Sequence, residues 1–236
     1  MTKTALRVLC AVTVAAAVAS CGIPTTQYLG PVDADSIVWT ASPATVTFEH
    51  NALDNSTENF LGYEIYYKFY AQTPNPTDGQ FGTDLAVIDA AAPGTGLNTV
   101  LNQQFRRITG ANTASVVAPL IPVDPSDSTG VFAISLIFPD KASQLSPDPT
   151  TAQYLAEVIE LARQPDTGLF GETFESDDLT TSPNDADIPA GIPPTDLFIH
   201  MGIVILAYGT DNTGGTFQTL YSNPQMVLQP LEIILQ

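Results

Sequence analysis

Two stretches of the chain alternate between faces. In Gly62–Tyr70, Tyr63, Ile65, Tyr67 and Phe69 fall on one side, while Glu64, Tyr66, Lys68 and Tyr70 fall on the other. Strand side chains point alternately to opposite faces, and aromatic and β-branched residues suit a pleated, half-buried surface. The stretch therefore predicts a strand with its first set in a core and its second against water or a covering segment. Leu197–Tyr208 predicts a second long strand, apolar on both faces: Ile199, Met201, Ile203, Ile205 and Ala207 on one, Phe198, Val204, Leu206 and Tyr208 on the other. Such a strand needs cover on both sides. Its 12 residues are too few for a membrane helix, which needs about 20.

Shorter strands are predicted at Ser36–Trp39, at Ala44–His50 with Val46 and Phe48 on one face, and at Val131–Phe138, nearly all apolar and so expected to be covered. Ser115–Val123 carries Pro119 and Pro122 and is at best an edge strand. Asp211–Gly215 is a hairpin turn, and Thr216–Leu228 returns as a strand interrupted at Ser222–Pro224. Leu97, Val100, Leu101 and Phe105 have helical spacing within Leu97–Arg107. Leu155, Val158, Ile159 and Ala162 have it within Pro149–Arg163, a stretch capped by Asp148 and closed by Pro165. This second helix is the expected outer cover of Leu197–Tyr208. Ala86–Ala92 is too rich in alanine to assign. Glu172–Pro194, acidic and rich in Thr, Ser and Pro, predicts a long exposed loop.

Charge narrows the partners. The 236 residues include 7 Lys and Arg against 25 Asp and Glu, a net charge of −18. Such a surface repels nucleic acid, which is excluded as a partner. The acids are scattered beside Ser, Thr, Pro and Gly, as in loops. Calcium binding and adaptation to salt are two functional readings of this charge; a soluble negative surface is the plainer one and is favoured.

The start of the chain stands apart. Lys3 and Arg7 precede or open the apolar run Leu6–Val18, which ends in Val18-Ala19-Ser20-Cys21. The run is too short to span a bilayer but suits a secretory signal. With an aliphatic residue, two small residues and then Cys, it resembles the lipobox of bacterial lipoproteins. Cys10 follows Leu9, which is not small, and does not fit. The resemblance implies removal of residues 1–20 and acylation of Cys21. The lipid makes a bilayer the implied partner, residues 21–33, with Pro24, Gly30 and Pro31, read as a tether, and 34–236 is expected to be a single domain. An ordinary secreted protein with a free Cys21 is the alternative. With Cys10 removed and Cys21 acylated, no disulfide remains. Gly22 is not the Asp that marks inner-membrane retention, so the outer membrane is preferred.

The order of strands also resembles a family. A strand with Trp39, then Val46–Phe48, then Gly62-Tyr-Glu-Ile-Tyr-Tyr-Lys68, later Val204-Ile-Leu-Ala-Tyr-Gly209, a Gly-rich turn and Tyr221-Ser-Asn-Pro224 is similar to a fibronectin type III domain. That resemblance implies a mainly β, immunoglobulin-like antiparallel sandwich. Gly62–Tyr70 would be its third strand and Leu197–Tyr208 its sixth, with a large α/β insertion over about 71–196. The Cys21-Gly-Ile-Pro24 start and the Tyr-Glu-Ile-Tyr-Tyr-Lys strand also loosely resemble surface lipoproteins of spirochaete-type bacteria, which imply no known chemistry.

The search for chemistry yields little. His50 and His200 sit on strands without ligand spacing, and structural roles are favoured for both. There is no Gly-x-Ser-x-Gly elbow and no phosphate-binding glycine loop. No catalytic residue is assigned. Asp124, Asp127, Asp185 and Asp187 are weak calcium candidates against a plain polar loop, and no metal or other cofactor is expected. Tyr66, Tyr70 and Tyr208 are candidate binding residues, since exposed rings stack on sugars or protein partners; holding the insertion against the sheet is the plainer role. The expectation is a monomeric, non-catalytic envelope module that contacts an envelope protein or a glycan or serves a structural role. A carboxylate-dependent enzyme acting on polysaccharide is the alternative.

Overall fold

The structure is a computed structural model and describes residues 28–41, 44–55, 59–70, 79–110, 119–123, 131–136, 144–147, 159–164, 172–173, 186–188, 198–212 and 217–234. In chain order the first strands are β1 (Val38–Ala41), β2 (Ala44–Glu49) and β3 (Phe60–Tyr70), followed by helices α1 (Gly79–Asp89) and α2 (Gly96–Asn102). Then come β4 (Arg106–Arg107), β5 (Thr109–Gly110), β6 (Ile121–Pro122), β7 (Val131–Leu136), β8 (Gln144–Pro147), β9 (Ile159–Arg163) and β10 (Glu172–Thr173). The last are β11 (Phe198–Asp211), β12 (Gln218–Tyr221), β13 (Gln225–Met226) and β14 (Leu231–Ile234).

These strands form two sheets, and every pairing is antiparallel. One is ordered β1-β2-β7-β8-β9-β10, with β5 also on β9. The other is ordered β12-β11-β3-β4, with β13 and β14 continuing along β11 and β6 beside β3. The protein is thus mainly β, as expected, and sandwich-like. The two alternating stretches found in the sequence are immediate neighbours: β3 and β11 pair from His200–Tyr70 to Tyr208–Gly62. There the register slips, Gly209 faces Phe60, and Leu61 is the extra residue of a bulge. Gly62 has φ +147°, and a Cβ on it would collide with the carbonyl of Ile121. Glycine lets β6 lie against β3 at this bend.

Two cores flank the β3–β11 pair. The inner one holds Tyr63, Ile65, Tyr67 and Phe69 of β3 with Met201, Ile203, Ile205 and Ala207 of β11, facing Val46, Phe48 and Leu161 of the opposite sheet. Phe48 meets the edge of the Tyr63 ring at 5.4 Å, so the sheets touch through aromatic contacts. The outer core packs Tyr66, Tyr70, Val204, Leu206 and Met226 under Phe81 and Ile88 of α1 and Val100 of α2, with Phe105. Both faces of β11 are therefore covered, as its composition requires.

The cover is not the expected one. Helices α1 and α2 provide it, and α1 takes in residues 86–89 of the alanine-rich stretch that had no assignment. Ile159–Arg163, expected to end the Pro149–Arg163 helix, is strand β9, with Leu161, Ala162 and Arg163 all buried, so both of its faces are covered there; most of that predicted helix lies outside the described residues. The sheet offers β9 partners on both sides, and tertiary pairing overrides helical spacing. The expected loop at 172–194 is also broken: Glu172–Thr173 is β10, and Ile188 is buried. The expected tether is shorter, because Leu29 and Val32 sit in the inner core and the side chain of Asn55 bonds both the N–H and the C=O of Gly30 at 2.9 Å. Val131–Phe138 and the interruption at Ser222–Pro224 appear as β7 and as the gap between β12 and β13. Cys10, Cys21 and the signal lie outside the described residues.

One short segment joins the layers. Arg106–Arg107 pairs with β3, and two residues later Thr109–Gly110 pairs with β9 in the opposite sheet. Between them Ile108 is buried and donates its N–H to Ile65 O at 2.8 Å.

Candidate functional site

Strand β3 carries three tyrosine–carboxylate–base groups. On the outer face, the Tyr66 hydroxyl donates to Glu64 Oε2 at 2.6 Å, and Arg107 Nη2 lies 3.0 Å from Glu64 Oε1. Further along, the Tyr70 hydroxyl donates to Asp84 Oδ2 at 2.9 Å, and Lys68 Nζ donates to the same oxygen at 2.6 Å. Gln80 holds the other Asp84 oxygen, and Lys68 also reaches Gln103 O at 2.9 Å. On the inner face, the Tyr67 hydroxyl donates to Asp187 Oδ2 at 2.8 Å, and Arg163 Nη1 contacts both Asp187 oxygens. The same hydroxyl accepts the N–H of Gln164. Each buried carboxylate is thus paired with a base and accepts a tyrosine hydroxyl, as a buried charge requires, while Glu64 Oε1, Arg107 Nε and Arg163 Nε make no hydrogen bond among the described residues.

Burial sets the proton affinities. Desolvation raises the pKa of Glu64 above the usual carboxylate value, against the pull of Arg107 and of the Tyr66 and Tyr221 hydroxyls. Tyr66, Tyr67 and Tyr70 are all pushed far up, first by burial and then by the carboxylate each one faces. The phenols stay protonated and act as fixed donors.

A cleft of about 590 Å³ opens along β3 where β4 ends. Its lining includes Lys68 and Phe69 of β3, Leu97 and Leu101 of α2, and Gln104, Arg106, Arg107 and Ile188. Its rim is built by the end of α2. Gln104 has φ +65°, with its N–H on Leu101 O and the next N–H, of Phe105, on Val100 O. That is a Schellman close, with glutamine in the left-handed position usually given to glycine and Phe105 packed with Val100 beneath it. Arg106 spans the cleft wall, donating to Gln164 O at 2.8 Å and to Ala186 O at 3.0 Å.

The candidate residues fall in different places. Tyr66 and Tyr70 are only 3% and 5% exposed, covered by the helical layer, so neither presents a ring for stacking. Their place under the helices agrees with the plainer role, packing a covering segment on the sheet, and not with the binding role. Tyr208 is half-buried, edge-on to Tyr221 at 5.5 Å, and not part of the cleft. Asp187, a calcium candidate, has both oxygens on Arg163. Asp124, Asp127 and Asp185 lie outside the described residues, among which no group of metal-ligating side chains forms. His50 is a buried structural residue: it bonds the Tyr63 hydroxyl at 2.8 Å and stacks on Phe60. His200 lies in register with Tyr70 and Glu232.

Asp84 and Arg163 did not stand out in the sequence, although a signal existed. Asp84 sits three residues after Phe81 and four before Ile88, on the buried stripe of α1, where an acid requires a partner. No protein-family model matches the sequence, and no curated protein or solved structure matches it either.

Proposed function

We propose that the protein is a lipid-anchored component of a bacterial cell envelope, held at Cys21 with the outer membrane preferred, and that its domain is a monomeric, non-catalytic binding module for an envelope protein or glycan. The anchor is supported by the basic start, the apolar run Leu6–Val18 and Val18-Ala19-Ser20-Cys21. Leu29 is already in the core. The chain from Cys21 to Leu29 reaches at most about 28 Å, which keeps the domain close to the bilayer.

The fold reading that accompanies it is an immunoglobulin-like sandwich of the fibronectin type III kind. Its support is the placement of β1, β2 and β7 in one sheet and of β3, β11 and β12 in the other. That is the grouping of first, second and fifth strands against third, sixth and seventh. Residues 71–196 then form the insertion.

The observation that carries the non-catalytic reading is the pairing of the buried carboxylates. Glu64, Asp84 and Asp187 are each held by a base, Arg107, Lys68 and Arg163 respectively. A glycosidase instead needs two carboxyl groups, roughly 5–9.5 Å apart, available to substrate and water. For the alternative of a polysaccharide enzyme, the raised pKa of Glu64 is the one favourable feature, but Glu64 does not line the cleft.

The test is membrane fractionation of the protein and of Cys21→Ser, with mass measurement of the N-terminal peptide. The expected result is acylated Cys21 in the membrane fraction and release of the variant. A Cys21→Ser protein that stays membrane-bound would overturn the anchor.

A further inference from the structure

We infer that the end of the domain where the tether enters lies against a bilayer, with Leu53 and Phe217 set among the lipid headgroups and Tyr28 and Leu61 beside them. The inference rests on the lipid anchor at Cys21 and names the surface that the anchor brings to the membrane. Leu53, at 89%, and Phe217, at 82%, are the two most exposed large hydrophobic side chains among the described residues. Both belong to segments that hold the entering chain. Asn51 Nδ2 donates to Pro31 O at 2.8 Å, and Asn55 bonds the N–H and C=O of Gly30. The loop is thus fixed to the tether on either side of Leu53. Leu29 packs beside β11, its Cδ1 3.2 Å from where a Cβ on Gly209 would stand. Gly209 faces Phe60 across the bulge that carries Leu61, which is exposed. Two residues further along β11, Asp211 pairs with Gln218, and Phe217 is the residue before it on the same hairpin. Tyr28, next to Leu29, is exposed as well.

Exposed apolar side chains gathered in one place mark a contact surface. What covers this one follows from the chain that enters there. Leu29 stands at most about 28 Å of extended chain from Cys21, so the acylated residue keeps this end of the domain within reach of the bilayer. Leucine and phenylalanine bury apolar area at the headgroup boundary, and a tyrosine there can keep its hydroxyl in water. Asp33, Asp35, Glu49 and Asp54 are exposed around the same end. The attraction is therefore apolar, and headgroups without net charge suit it better than anionic ones. The cleft beside β4, lined by Lys68 and Phe69, lies toward the other end of β3. Docking through the tether end turns that cleft away from the membrane.

The test is spin-label depth measurement on the protein expressed from the full chain and reconstituted in phosphatidylcholine vesicles. A nitroxide is placed at Leu53→Cys, at Phe217→Cys or, as the control beside the cleft, at Leu101→Cys; all three positions are exposed. With Cys10 removed and Cys21 acylated, the chain holds no other thiol. On reconstitution the labels at 53 and 217 should collide severalfold more with oxygen and severalfold less with a water-soluble nickel chelate. The label at 101 should not change. Phe217→Ser should move the label at 53 back toward water. If the protein is acylated and floats with the vesicles while both labels stay in water, the inference falls and the anchor stands. If both labels enter the bilayer in a protein without an acyl chain, the anchor falls and the docking surface stands. If the protein carries no acyl chain and does not float, both fall. Dipolar coupling between labels of two molecules, with no change on adding vesicles, would make a second copy the cover and overturn the inference.

Discussion

The inner and outer faces of β3 reach the same burial with different side chains. Inside, Ile65 and Phe69 meet apolar side chains from the opposite sheet, and Tyr63 bonds His50. Outside, Tyr66, Lys68 and Tyr70 meet two helices, and Glu64 meets Arg107 of β4. The inner face is stabilised mostly by removal of apolar area from water. On the outer face every charge needs a counter-charge supplied from a distant position: Asp84 from α1, Arg107 from β4. An apolar face tolerates many covers of suitable volume, whereas a paired face accepts only one whose acids and bases are in register.

The largest effect expected is alkaline unfolding, which tests both faces together. Tyr66 and Tyr70 outside and Tyr67 inside all have pKa values raised by burial and a facing carboxylate. Below the unfolded phenol value of about 10 they are protonated in both states and contribute nothing to pH dependence. Above it the unfolded chain releases protons that the folded chain retains, so stability falls by about 4 kcal/mol per pH unit for the three. Tyrosinate absorbance from these rings and loss of circular dichroism should rise together above pH 10, with a shallower slope for Tyr70→Phe. Ionisation of the buried rings without unfolding would break the account.

Next in size is a contrast between the faces. Asp84→Ala leaves Lys68 and the Tyr70 hydroxyl without this acceptor and should lose about 3–5 kcal/mol in urea unfolding. Lys68→Met combined with Asp84→Leu should regain most of it, because the uncompensated charge disappears. On the inner face Ile65→Val should lose only about 0.5–1.5 kcal/mol, by the simple loss of a methylene. Equal losses for Asp84→Ala and the double variant would show that packing, not pairing, holds the outer face. The smallest effect concerns the rim of the helical cover: Gln104→Gly should gain about 1 kcal/mol, since glycine takes the left-handed conformation without strain.

The same contrast explains what could be read in the sequence. The inner face of β3, the double cover of β11, the buried Val46 and Phe48 and the broken last strand were legible because period and composition express them locally. The helix from Leu97 was legible for the same reason, within a few residues of its end. Strand β9 was not: Ile159 and Ala162 fit helical spacing, and what makes them a strand is β8, β10 and β5, which the local pattern does not contain. The ion pairs were hidden for a related reason. Lys68 and Asp84 are 16 positions apart, and Tyr67 and Asp187 are 120 apart. A charge on a strand face looks like exposure until its partner is known, which is why the sequence left two roles open for Tyr66 and Tyr70. The cleft combines both difficulties, since α2, β4 and Ala186–Ile188 meet only in the fold.

The interrupted run along β11 has one more consequence. Its three pieces contain four, two and four residues, with Pro224 and Pro230 in the gaps. A long, flat margin of open N–H and C=O groups is a template on which another chain can add a strand. Here the margin is cut into lengths too short to guide one, and each proline removes a donor. The breaks that the sequence of the last strand already announces therefore also guard this side of the sheet against edge-to-edge growth.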